Sequence, residues 1–214
     1  KMCYNKDISL YTYFIGLVAS FLLIQKKDKD LKILGCFFLF VIHMQLIEYF
    51  LWTNNKCNMR NITLSHIGAL IMFIQPIILY LVILYYNKEL YIKNKIKINI
   101  ILIIYVILLI IYCINLFPIG CTSVTPISSP YLQWSWFYKK NPELLTLCFP
   151  IILMILMYYG LNKPYNLYVS LICIISFIVS FIIYKKQRAF GSLWCWFAVF
   201  IPMGVLLIDT FKNL

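Results

Sequence analysis

Long apolar runs separated by short polar stretches organise this chain. Seven windows stand out, at about residues 8–24, 31–52, 62–86, 98–117, 143–161, 165–184 and 189–211. About 20 apolar residues carry a helix across the hydrocarbon core of a bilayer, so each window has the length of one span. The separators are Gln25-Lys26-Lys27-Asp28-Lys29-Asp30, the polar residues 53–61, a basic stretch with Lys88, Lys93, Lys95 and Lys97, and the long connection 118–142. Asn162-Lys163-Pro164 is so tight that the fifth and sixth helices should be antiparallel neighbours. Gln75-Pro76 should interrupt the third window. No period-two alternation supports a β-barrel. The pattern therefore predicts one all-α domain over 1–214, a polytopic transmembrane bundle of seven helices.

Composition narrows the class further. Apolar residues make up 63% and charged residues 12%, against about 45–50% and about 25% in a soluble domain. Mean hydropathy is +0.87, which excludes a soluble globule, a disordered tail or a disulfide mini-protein. The net charge of +12 comes mainly from lysines between the apolar runs, where they set topology or snorkel to the surface. The expected partner is thus the lipid bilayer, with a small ion or solute, and not nucleic acid; a homo-oligomer is compatible with this. The first run lacks a small-residue cleavage site and reads as a span rather than a signal peptide.

Orientation follows from several weak signals. Seven spans put Lys26, Lys27, Lys29, Lys32, Lys88, Lys93, Lys95, Lys97, Lys163 and Lys212 on one side, and Lys1, Lys6, Lys56, Arg60, Lys139, Lys140, Lys185, Lys186 and Arg188 on the other. That near-even split decides nothing, but the flanks of the first helix favour an outside N-terminus and an inside C-terminus. Cys57 and Cys121 fall in the second and fourth connections, where an oxidising compartment would let them pair. The Asn61-Ile62-Thr63 glycosylation motif lies on the same side.

Polar residues inside spans are costly and therefore informative. Val41, Gln45, Glu48 and Trp52 share one face of the second helix, with His43 on another. Asn5, Ser9, Thr12, Gly16 and Ser20 form a small, polar stripe on the first. His66 lies near the outer end of the third, and Trp194-Cys195-Trp196 near the start of the seventh. Alternating topology brings Asn5, Ser9, Gln45, Glu48, His66, Trp194 and Cys195 to a similar depth, beneath Trp134 and Trp136 of the long connection. This predicts an outward-facing polar pocket. The bland alternative is a hydrogen-bond cluster that only locks helices together.

The same stretches carry a resemblance. Met2-Cys3-Tyr4-Asn5, Gln45-Leu46-Ile47-Glu48-Tyr49-Phe50-Leu51-Trp52 and Ala189-Phe190-Gly191-Ser192-Leu193-Trp194-Cys195-Trp196-Phe197-Ala198 resemble the Met-Cys-Phe-Ser, Gln-x-x-Glu-Gly-x-x-Trp and Ala-Phe-x-Ser-x-Trp-Cys-Phe-Phe-Ala segments of a seven-span bacterial membrane protein family, a domain of unknown function. Tyr49 departs from the family's glycine, and the middle of the chain does not match. The resemblance implies the architecture and the site residues, and names no reaction.

Three functional classes follow. A channel or transporter for a proton, cation or small solute would use Glu48, the one carboxylate well inside a window. A metal- or thiol-dependent protein or enzyme would use Cys3, His66, Glu48 and Cys195, ligand types for zinc or copper but without diagnostic spacing; a Cys3–Cys195 disulfide would use two of them with no chemistry. A receptor-like or structural component is the third. Retinal is not expected, because the last helix offers only Lys212 at its very end. No motif names another cofactor or a catalytic set.

Overall fold

A computed structural model describes residues 5–116, 120–124, 132–134, 143–184 and 190–212. Its elements are α1 (Lys6–Ile24), α2 (Lys29–Val41), α3 (His43–Thr53), α4 (Met59–Tyr86), α5 (Lys88–Leu116), β1 (Ser123–Val124), β2 (Leu132–Gln133), α6 (Glu143–Gly160), α7 (Tyr165–Tyr184) and α8 (Phe190–Lys212). Six helical segments are long and apolar enough to cross a membrane, with α2 and α3 counting together as Lys29–Thr53; α6 adds the shorter apolar stretch Cys148–Gly160.

The α2–α3 segment is the axis of the bundle. It packs against α1, α4 and α8, while α6 and α7 complete the wall and α5 lies outside against α4 and α6. Leu34, Phe37, Phe38, Met44 and Leu51 of this axis are buried. By contrast α5 exposes Ile96, Ile103, Ile107 and Ile114, an apolar face suited to lipid.

Local chemistry sets the boundaries. Asn5 caps α1 by accepting the Ile8 amide at 2.8 Å, and Asp28 caps α2 by accepting those of Asp30 and Leu31 at 2.7 and 3.2 Å. The second span therefore starts two residues earlier than expected, and Asp30 is buried in it rather than looping out. The basic stretch before the fourth window is likewise helical, since α5 begins at Lys88; lysine is a good helix former. Gln75-Pro76 does not interrupt α4, which runs through the proline.

The break comes elsewhere, at Ile42. There His43 Nδ1 takes the Leu39 carbonyl at 2.8 Å, and the Gln45 amide bonds back to Ile42, three residues away, at 2.9 Å. Ile42 itself keeps right-handed helical backbone angles, so α2 and α3 follow one another as a single span.

Both ends of the bundle are tied. Cys57 and Cys121 form a disulfide with Cα atoms 5.5 Å apart. Beside it, Asn61 Nδ2 donates to the carbonyls of Asn54 and Thr122 at 3.0 Å each, and Thr122 N donates to Asn61 Oδ1 at 2.9 Å. Asn61 is fully buried, so a glycan on its amide is incompatible with this fold and the expected modification site is a structural tie instead. β1 and β2 pair antiparallel just beyond, with Val124 opposite Leu132. At the opposite end buried Asp30 accepts Asn162 N at 3.0 Å, Asn162 Nδ2 at 3.1 Å and Asn87 Nδ2 at 3.3 Å. Lys26 pairs there with Asp209 at 2.9 Å.

Candidate functional site

The disulfide half of the bundle holds the polar group that the sequence leads one to seek. Glu48 and Gln45 both point inward from α3, each 1% exposed. Gln45 is held from both sides: its Oε1 lies 3.0 Å from the Thr12 hydroxyl of α1, and its Nε2 donates to Glu48 Oε2 at 3.4 Å. The carboxylate also faces Ser192 of α8 and Trp134. Trp134 itself is 1% exposed and donates its indole N–H to Ser192 Oγ at 3.0 Å. One tryptophan from the long connection thus closes over the acid, because β2 lies against α3 and delivers it there. The other oxygen, Glu48 Oε1, is buried with no hydrogen-bond partner among the described residues.

Beside this group runs a narrow crevice of about 30 Å³, enough for very few waters. Trp134, Gly191, Trp194 and Cys195 line its upper part, and Phe149, Leu153 and Met157 follow one face of α6 downward. Eight residues of helix correspond to about 12 Å, a good part of the roughly 30 Å hydrocarbon thickness. Its walls are mostly apolar. Pro76 and Pro202 lack the N–H that would bond the carbonyls of Met72 and Ala198 four residues back. Both of those residues line the crevice.

Among the described residues Trp134 covers the group, and Glu48 is not one of the residues that line the crevice. Ser9 is buried, with its carbonyl 3.1 Å from the Thr12 hydroxyl, so it belongs to the supporting layer. Trp194 and Cys195 line the crevice, and Cys195 lies within electrostatic reach of Glu48. Asn5 is exposed and serves as a helix cap. His66 turns Nδ1 to the Ile62 carbonyl of its own helix at 2.7 Å.

Among the described residues no three His, Cys, Asp or Glu side chains gather to hold a metal. His66, Glu48 and Cys195 are thus not a common ligand set. Cys3, which the metal site and the alternative disulfide with Cys195 both require, and Trp136 lie outside the described residues.

Thr12 and Ser192 are the members not singled out for the site beforehand. Thr12 stood in the polar stripe of α1, one turn from Ser9. Ser192 carried a usable signal, since it sits three residues before Cys195 on the same face of α8. Comparison with family models, curated proteins and solved structures finds no match to this chain.

Proposed function

We propose that this chain is a multi-pass membrane protein of seven spans, with the disulfide end and N-terminus outside and the C-terminus inside, which carries a proton or small cation through the sealed site at Glu48. One observation carries the reading. A carboxylate is 1% exposed and one of its oxygens, Oε1, has no hydrogen-bond partner among the described residues. A helix lock has no use for such an oxygen, because burying an unsatisfied acceptor costs about 1–3 kcal/mol and more when charged. A binding site has a use for it: a proton or cation completes the coordination.

The surrounding residues then have distinct tasks. Gln45 and Thr12 fix the side chain so that Oε1 stays presented, and the Trp134–Ser192 pair excludes the disulfide-end solvent. Motion of Trp134 would open the site to that side. The crevice, with Met72 and Ala198 in its lining, offers the continuation toward the other. Intramembrane acids in such surroundings commonly serve as ion or proton sites.

The test is flux into proteoliposomes, read with a pH-sensitive dye and with alkali-cation probes. Glu48→Gln should lower the flux at least tenfold while the protein stays folded. Flux that is unchanged in the variant, or absent in the unmodified protein for every probe, overturns the proposal.

A further inference from the structure

Sulfur is concentrated in the crevice beyond what composition explains. The chain has 7 Met and 8 Cys in 214 residues, so about one sulfur would be expected among the sixteen lining residues. Five are present: Met44, Met72, Met157, Cys173 and Cys195. Two of them already touch, with Cys173 Sγ 3.9 Å from Met157 Sδ, and both are buried, at 6% and 0% exposure.

We propose that the crevice binds a soft monovalent metal ion, Cu(I), between the Cys173 thiolate and the Met157 thioether. Three physical arguments converge. First, the spacing fits. With metal–sulfur bonds of about 2.3 Å, two sulfurs 3.9 Å apart subtend an angle of roughly 115° at a shared ion, close to trigonal and open to a third ligand. Second, the ligands select the ion. Thiolate sulfur takes zinc as well as Cu(I), but protein zinc sites are built from several Cys, His or carboxylate ligands, and no three such groups gather among the described residues, which leaves the thiolate–thioether pair to the softer Cu(I). Third, the charge closes. An unpaired charge in an apolar cavity is strongly penalised, but one thiolate with one Cu(I) is neutral.

Binding requires no electron transfer. The Cys173 S–H bond breaks, a sulfur–copper bond forms, the proton leaves to solvent and copper stays monovalent. Cys195 near the Trp134 cap and Met44 and Met72 along the walls provide further soft ligands on the way. The inference goes beyond the transport reading, because it concerns the sulfur-lined crevice and not the Glu48 carboxylate, and binding can be measured without transport.

The experiment uses the purified full chain in detergent, anaerobic and with its disulfide intact, titrated with Cu(I) against bicinchoninate. One Cu(I) per chain should be retained, with a sulfur-only shell by X-ray absorption. Cys173→Ser should lower the affinity at least tenfold, and Met157→Leu, of similar volume, should lower it and remove one sulfur from the shell. A combined Cys36→Ser, Cys113→Ser, Cys148→Ser variant should retain the ion. Failure of the unmodified chain to retain copper, or retention unaffected by Cys173→Ser, overturns the proposal; so does loss only in the combined variant, which would mean adventitious thiol binding. Glu48→Gln should keep the copper even where flux falls, so a failure of the carboxylate reading and a failure of the sulfur site give different results.

Discussion

Two of the buried carboxylates, Asp30 and Glu48, face the same cost and resolve it differently. Asp30 is satisfied by the Asn162 backbone amide and by the side chains of Asn162 and Asn87, which join the first, third and fifth connections. Glu48 receives Gln45 on one oxygen and faces Ser192 and Trp134, while Oε1 has no hydrogen-bond partner among the described residues. The physics of unmade hydrogen bonds therefore predicts opposite responses. Asp30→Ala strands three donors and should cost about 1–3 kcal/mol or more in unfolding measured in detergent. Glu48→Gln keeps the shape of a poorly satisfied group and should change stability by less than about 1 kcal/mol while lowering the proposed flux at least tenfold. Equal destabilisation by the two would mean that Glu48 is also a lock. Only one of these acids was legible beforehand. Glu48 stands alone in an apolar window, where cost alone marks it. Asp30 sits in a run of charges that reads as a solvated loop, and nothing local announces that Asn162, 132 residues away, will meet it.

At the scale of elements, the windows of the hydropathy pattern reappear as helices because satisfying backbone groups in lipid leaves helices little alternative. Their ends and bends depend on finer chemistry. The interruption at Ile42 falls where neither proline nor glycine stands, whereas the conspicuous Pro76 leaves α4 continuous. Small residues decide how closely the helices approach. At Gly35 an added Cβ would fall 2.8 Å from both the Ser20 carbonyl oxygen and the Ile24 amide nitrogen, backbone atoms of α1 that cannot rotate away. Gly35→Ala should thus force α1 and α2 apart and cost about 1–3 kcal/mol. Gly204 is the control, since a Cβ there meets nothing within 4 Å. Gly204→Ala should be neutral or gain up to about 1 kcal/mol from helix propensity. A thermal unfolding series on both variants checks the contrast, and a neutral Gly35→Ala would remove the close α1–α2 approach from the account.

For the whole molecule, the two tied ends make a frame around a polar group that neither end contains. The pairing of Cys57 with Cys121 was legible, because two cysteines in connections on one side have an obvious use for each other. The cap was not, because Trp134 reaches Ser192 only through the strand that the disulfide helps to hold. This dependence yields a joint test of stability and orientation. Closing a loop of 64 residues would stabilise a soluble chain by roughly 4 kcal/mol. Here helices already restrain both ends, and the Asn61–Thr122 bonds tie the same two segments independently of the sulfurs, so Cys57→Ser with Cys121→Ser should cost less, about 2 kcal/mol. If the disulfide end faces outward, a membrane-impermeant maleimide should label Cys57 and Cys121 in sealed right-side-out vesicles after reduction by an impermeant phosphine. Labelling that appears only after the vesicles are opened would reverse the orientation. The mouth covered by Trp134 would then face inward, and any flux through Glu48 would have to be gated from that side.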